Sequence, residues 1–257
     1  MSSQTDKARA FAALHRPGDP VILYNAWDAG SAKAVAEAGA KAIATGSASV
    51  AAAHGYHDAE ALPLELALAN AARVAAAVDL PVTIDFEGGY AVDPDPLAAN
   101  MARLAATGAI GCNFEDQMVG GEGLHPVERQ AERNRAARAA VGPDFFINAR
   151  TDIFLKAKQD SHDAAKVDAA LERASAYAEA GASGFFAPGL ADLELLRDER
   201  DRALEALRLI EEEGWTHHET RGDDVMRDVT AKRANRQRQI IERMDRLIAA
   251  QESRQPR

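Results

Sequence analysis

Apolar residues in this chain follow two alternating rhythms. Short continuous runs, VILYNAWD (21–28), KAIATGS (41–47), PVTIDFE (81–87), AIGCNFED (109–116), FFINARTD (145–152) and GFFAPG (184–189), are separated by longer Ala-rich stretches. The runs predict strands of about four to six residues, continuous because a parallel strand is covered on both faces. The stretches between them, such as LPLELALANAARVAAAV (62–78) and DAALERASAYAEAGA (168–182), space their apolar residues as helices do. Gly39, Gly108 and Gly181 stand just ahead of the next strand, where a glycine commonly ends a helix. Repeated βα units with right-handed crossovers make a parallel α/β fold.

Polar residues gather at the C-terminal ends of the runs: Asp28, Ser47, Asp85, Glu87, Glu115, Asp116 and Arg150. A (β/α)8 barrel collects its functional groups at that face, from several strands. An open doubly wound sheet would usually show a phosphate loop, and no G-x-G-x-x-G or G-x-x-x-x-G-K-[ST] follows a strand here. The expectation is a TIM-barrel-like α/β domain over residues 1–196, incomplete as read, because only six βα units are legible. Residues 197–257 break the pattern: RDERDRALEALRLIEEEGW, a polar stretch THHETRGDD, then a final helix with Val225, Val229, Ile240, Ile241, Met244, Leu247 and Ile248. That segment is expected to be helical and to pack on its own barrel or on a partner subunit.

With 257 residues and 47% hydrophobic content the chain can bury a large core. A net charge of −10 argues against a general role on nucleic acid or an anionic membrane, and one short basic run, KRANRQRQ (232–239), does not reverse that. Cys112 is the only cysteine, which excludes an internal disulfide and fits a reducing compartment. The N-terminus lacks an apolar leader and no run is long enough to cross a bilayer, so a cytoplasmic location is expected.

Asp85 and Glu87 close one strand-like run and are followed by Gly88 and Gly89. Residues two apart on a strand share a face, and an unpaired carboxylate against a core costs several kcal/mol. A divalent cation would resolve the conflict, as would a strand end whose acids face water; the residues alone leave both open. Arg150 also ends an apolar run, where its fork would bind a carboxylate from a ligand or from a neighbour such as Asp152.

Taken in order, YNAWD (24–28), TGSAS (45–49), HGYHD (54–58), IDFEGGY (84–90), NFEDQ (113–117), NARTD (148–152) and FAPG (186–189) resemble the isocitrate lyase/phosphoenolpyruvate mutase superfamily over about residues 5–196. The resemblance implies Mg²⁺ held, directly or through waters, by Asp85, Glu87 and Glu115, with Glu87 standing where relatives often carry Asp and contributing mainly through water. It implies a substrate-binding and catalytic Arg150, a catalytic Asp58 near metal and substrate, and a strand-2 loop, Thr45, Gly46 and Ser47, that receives the substrate carboxylate. Trp27 matches the end of the first strand, as pocket wall or core. Asp116 is expected to be structural.

The implied chemistry makes or breaks a bond next to the carbonyl of a small α-oxo or 2-hydroxy acid through a metal-stabilised enolate. The substrate would be a small anionic carboxylic acid, and a homo-oligomer, dimer or tetramer, is expected. The loop after strand 4 departs from the carbon–carbon lyases: MVGGEGLHPVERQ (118–130) has neither their K-[KR]-C-G-H motif nor the mutases' K-x-N. It is expected to act as a mobile lid, with His125 either an acid–base group or a solvated loop residue. The alternative to an enzyme is a truncated or non-catalytic scaffold that keeps the fold.

Overall fold

The computed structural model describes residues 3–16, 19–190, 192–211, 218–220, 226–228 and 230–252. Every apolar run contains a strand: β1 (Asn25–Ala26), β2 (Ile43–Thr45), β3 (Val82–Asp85), β4 (Gly111–Glu115), β5 (Phe146–Arg150) and β6 (Gly184–Phe186). All neighbours pair in parallel, and their order in space is their order in the chain. Winding without a reversal is that of a TIM-type barrel; a doubly wound sheet reverses at its switch point. Among the described residues this sheet has six strands, with β1 and β6 at its edges.

The helices are α1 (Gln4–Ala13), α2 (Ala29–Glu37), α3 (Ser47–Ala53), α4 (Leu64–Ala77), α5 (Pro94–Ala106), α6 (Val127–Val141), α7 (Ala164–Glu179), α8 (Leu193–Glu211) and α9 (Thr230–Glu252). Ile43, Val82, Ile84, Cys112 and Ile147 from the strands pack with Leu68, Val74, Leu97, Met101 and Leu104 from the helices in one buried cluster. Each such aliphatic side chain stabilises the fold by about 1.5–3 kcal/mol. The three helix-ending glycines have φ of 94°, 92° and 97° at Gly39, Gly108 and Gly181, as their positions predicted. At Gly181 space is limiting too: a Cβ would lie 2.8 Å from Cγ of Arg138, whose Nε donates to the Gly181 carbonyl at 2.8 Å.

The first run departs from its prediction as a fully buried strand. Only Asn25 and Ala26 pair, while Ile22 and Tyr24 are 69% and 63% exposed, because β1 is a sheet edge with one neighbour. Contacts divide the chain into two compact units, one of Met1–Arg16, Val21–His162 and Ala169–Gly189, the other of Pro17–Pro20, Asp163–Asp168 and Leu190–Arg257. In the second, α8 packs along α9, Met244 and Ile248 are buried, and Arg238 pairs with Glu211. Two three-residue strands missed in the sequence, β7 (His218–Thr220) and β8 (Met226–Asp228), form a separate antiparallel pair. The final helix is described over Thr230–Glu252, and Val225 and Val229, expected in it, lie outside the described residues. No helix among the described residues is long and apolar enough to cross a membrane.

Candidate active site

Three adjacent strands end in charged residues, and the sheet register brings those ends together. Glu115 on β4 lies opposite Arg150 on β5, and Asp85 ends β3 opposite Asn113 of β4. Arg150 Nη1 lies 3.2 Å from Glu115 Oε2 and 3.8 Å from Asp85 Oδ2. Its Nε and Nη2 grip both oxygens of Asp152, at 2.6 and 3.2 Å. One half-buried guanidinium therefore serves three carboxylates. Burial alone would lower the Arg150 pKa, but Asp152, Glu115 and Asp85 outweigh it and hold it above its ordinary value.

The acids are strained in the opposite sense. Burial, followed by the charges of Asp152, Asp85 and Glu87, pushes Glu115 up to about 8 despite Arg150. Burial likewise raises Asp85. Asp85 Oδ2 accepts from the backbone N–H and hydroxyl of Ser47, at 3.2 and 3.1 Å, while its Oδ1 is buried with no hydrogen-bond partner. An orphaned carboxylate oxygen beside a second raised acid is a donor set suited to a hard cation. Glu87 contributes less directly. Its Oε2 accepts from the Glu60 amide at 2.6 Å, and burial and neighbouring acids raise it to about 7.

As they stand, Asp85 and Glu115, expected to bracket a metal, and Glu87, expected to reach it mainly through water, do not form a closed ligand cluster. Among the described residues no group of three or more His, Cys, Asp or Glu is arranged to hold a metal ion. Ser47 holds Asp85, Glu60 holds Glu87, and Arg150 with Gln117 Nε2, 3.2 Å from Oε1, holds Glu115. Mg²⁺ commonly takes only one or two carboxylates and keeps waters, so two acids such as Asp85 and Glu115 could hold one without a third.

The other expected residues sort themselves by contact. Thr45 is buried, and its hydroxyl accepts from the Asp85 amide at 3.0 Å, so it fixes the strand end. Gly46 precedes α3, and Ser47 opens it. Asp58 is exposed, yet its charge raises Asp85, Glu87 and Tyr90, which places it at the rim of the same cluster. Trp27 is 46% exposed, which excludes the core alternative; its carbonyl accepts from Asn70. Asp28 caps α2 through a reciprocal bond with Ser31. Asp116 is fully buried and accepts from the Asp152 amide, Tyr177 and Arg173 at 3.0, 2.8 and 3.0 Å, the structural role expected of it.

His125 is neither solvated nor on a loop tip. It is buried, its amide donates to the Asp116 carbonyl at 2.8 Å, and burial with Arg133, Arg129 and Arg173 lowers its imidazole to about 4. Three nearby guanidiniums oppose the imidazolium, so the ring is neutral near pH 7 and cannot serve there as a cationic acid. The exposed turn is shorter than expected. An antiparallel bridge between Gln117 and Leu124 closes it, and α6 follows Pro126.

Glu60 and Arg133 were not anticipated. Glu60 Oε1 accepts from the Tyr90 amide at 2.8 Å, and burial raises its pKa. Fully buried Arg133 donates to the carbonyls of Gly88 and Ala91 at 2.5 and 2.9 Å and lies over the Phe114 ring. Ala59, Glu60, Glu87 and Tyr90 all have positive φ, between 49° and 66°. Such left-handed non-glycine residues cost about 1 kcal/mol or more each and gather where a site is held in one geometry.

The phosphoenolpyruvate phosphomutase family model matches residues 11–218. The chain is 31% identical to 2-methylisocitrate lyase of Escherichia coli K12 over 203 residues, 75% of this chain and 66% of that one. A candidate phosphonomutase from Burkholderia cenocepacia J2315 superposes with a TM-score of 0.74 at 48% identity, covering 77% of this chain and 80% of the other. A phosphonopyruvate hydrolase crystallised with oxalate and Mg²⁺ shares the fold, with a TM-score of 0.66 at 22% identity over 74% of this chain and 68% of the other. The alignments span 65–66% of the length of the first curated relatives.

Proposed function

Because the chain belongs to the phosphoenolpyruvate phosphomutase family, we propose that it is an Mg²⁺-dependent lyase or mutase-type enzyme acting next to the carbonyl of a small α-oxo or 2-hydroxy acid. The observation that carries this reading is the meeting of Asp85, Glu115 and Arg150 at adjacent strand ends, with Asp85 Oδ1 unsatisfied. Asp85 and Glu115 would hold Mg²⁺, directly or through water, with Glu87 and Asp58 adding negative charge around them. When bound, the cation would supply Lewis-acid stabilisation of oxygen charge next to the reacting carbon.

The chain's own residues do the rest. Arg150 is preoriented by Asp152 on one edge of its fork, leaving Nη1 directed at the cluster, where it can meet a substrate carboxylate or a developing oxyanion. Ser47 offers an N–H and a hydroxyl at the start of α3 for the substrate's carboxylate. The 118–124 turn stands beside Glu115 through Gln117 and can exclude water from that side. Buried, neutral His125, tied by its amide to the Asp116 carbonyl, takes no acid–base part in this reading.

One observation favours the alternative of a scaffold without turnover: residues 118–124 carry no lysine, cysteine or histidine, which leaves Glu122 as their one side chain able to move a proton. The test is a substrate panel of oxaloacetate, malate-type acids with and without methyl substituents, and phosphonopyruvate, with pyruvate and other oxo-acid products followed with and without Mg²⁺. Turnover that disappears in EDTA and in Asp85→Ala is the expected result. Folded protein that turns over nothing and gives no heat with Mg²⁺ would overturn the reading.

A further inference from the structure

Among the described residues, all four left-handed non-glycine residues belong to two short segments, 59–60 and 87–90, and these segments are fastened to each other. The Glu60 amide donates to Glu87 Oε2 at 2.6 Å, and the Tyr90 amide donates to Glu60 Oε1 at 2.8 Å. Each glutamate thus satisfies the other segment's backbone. Gly88 makes the approach possible, since a Cβ there would lie 2.9 Å from Glu60 Oε1. From the far side Arg133 grips the Gly88 and Ala91 carbonyls, so the turn is fixed through both its N–H and its C=O groups. Two carboxylates are held close in strained backbone, and neither pairs directly with a lysine or arginine across the clasp.

We propose that Glu60 is a positioning residue, whose clasp with Glu87 and the 87–90 turn sets where Asp58 and the Glu87 carboxylate stand relative to Asp85. The inference rests on the Mg²⁺-dependent reading of this site and adds a residue to it. Asp58 lies two residues before Glu60, and its direction depends on the left-handed pair Ala59–Glu60 that the clasp maintains. Released, that pair would relax to an ordinary backbone conformation and swing Asp58 away. Glu87 is suited to the role by length: an aspartate there would be shorter by one methylene, about 1.5 Å, and would leave the Glu60 amide unpartnered.

The test compares Glu60→Gln, which keeps an acceptor for the Tyr90 amide, with Glu60→Ala, which removes it. Three readouts apply: kcat and KM on any acid the parent turns over, Mg²⁺ binding by calorimetry, and amide hydrogen exchange without ligand. Glu60→Ala is expected to lower kcat by about 100-fold with little change in KM, as displaced groups do. It should also weaken Mg²⁺ binding by about tenfold, as loss of an outer partner does, and speed exchange at residues 58–60 and 88–90 while Tm shifts little. Glu60→Gln should restore most of each property. Parent-like kcat, Mg²⁺ affinity and exchange in Glu60→Ala, or Glu60→Gln as impaired as Glu60→Ala, would overturn the proposal. If the parent turns over no acid in the panel, the functional reading fails, and the exchange and Mg²⁺ measurements still decide the clasp.

Discussion

Glu115 and Glu87 couple proton binding to folding in a direction opposite to that of most surface acids. Their ordinary value is 4.5, and burial first, then neighbouring acids, raises them to about 8 and about 7 in the fold. The folded state therefore binds protons more tightly than the unfolded chain. The stability they contribute is complete below about pH 4.5 and is lost as pH rises through 7 and 8. In EDTA, Tm should fall between pH 5 and 8 by roughly 5 °C or more, and Glu115→Gln should flatten that slope; calorimetry at several pH values that found Tm rising instead would contradict the assignment. Because a cation must displace those protons, Mg²⁺ affinity should rise over the same interval. Arg133 invites a separate test: Arg133→Leu strands the carbonyls of Gly88 and Ala91 and should cost about 3 kcal/mol in urea unfolding. Asp85, Glu115 and Arg150 were legible in the sequence because a charge closing an apolar run stands out against it. Glu60 and Arg133 were not, since each acts through bonds to residues 27 to 45 positions away, and no local pattern records that reach.

The six strands were legible as elements because each is a buried run between turn residues, and the observed strands fall inside the expected windows. The edges of that success have physical causes. At β1 the apolar letters Ile22 and Tyr24 reflect composition without burial, since an edge strand is covered by one neighbour only. The polar three-residue strands β7 and β8 carry no hydrophobic periodicity at all. Turn glycines offer a controlled comparison at this scale. Gly55 and Gly89 share a φ of 79°, but a Cβ at Gly55 meets nothing within 4 Å, whereas at Gly89 it would run into Leu97 and crowd Phe114. Gly55→Ala should therefore cost only about 1 kcal/mol, from left-handed strain. Gly89→Ala adds overpacking and should cost about 3 kcal/mol, with an effect on the neighbouring Glu87 turn. Equal losses for the two in denaturant titrations would mean that Leu97 moves aside without penalty.

At the level of the whole protein, the sequence reports a net charge of −10 without saying where it matters. The fold sets Asp85 and Glu115 against Arg150, which Asp152 already grips, with the charges of Asp58 and Glu87 bearing on them, so above about pH 8, where the raised acids have lost their protons, an anionic acid arriving alone meets repulsion. Oxalate should give no measurable heat in EDTA and clear binding once Mg²⁺ is present; equal affinity in both conditions would refute the electrostatic argument. The same chain spans about two thirds of its curated relatives' length and has six strands in its parallel sheet among the described residues, so turnover also tests what that sheet suffices for. The Asp85–Ser47 contact has a further consequence. On the proposed reading, the donors meant for the substrate's carboxylate already hold one of the protein's own, so ligand entry is an exchange of one tenant for another, with little net gain in hydrogen bonds. Whatever draws Asp85 off Ser47 also vacates that seat. Cation and acid would then be linked through the rotation of one side chain, each raising the other's affinity by the same factor.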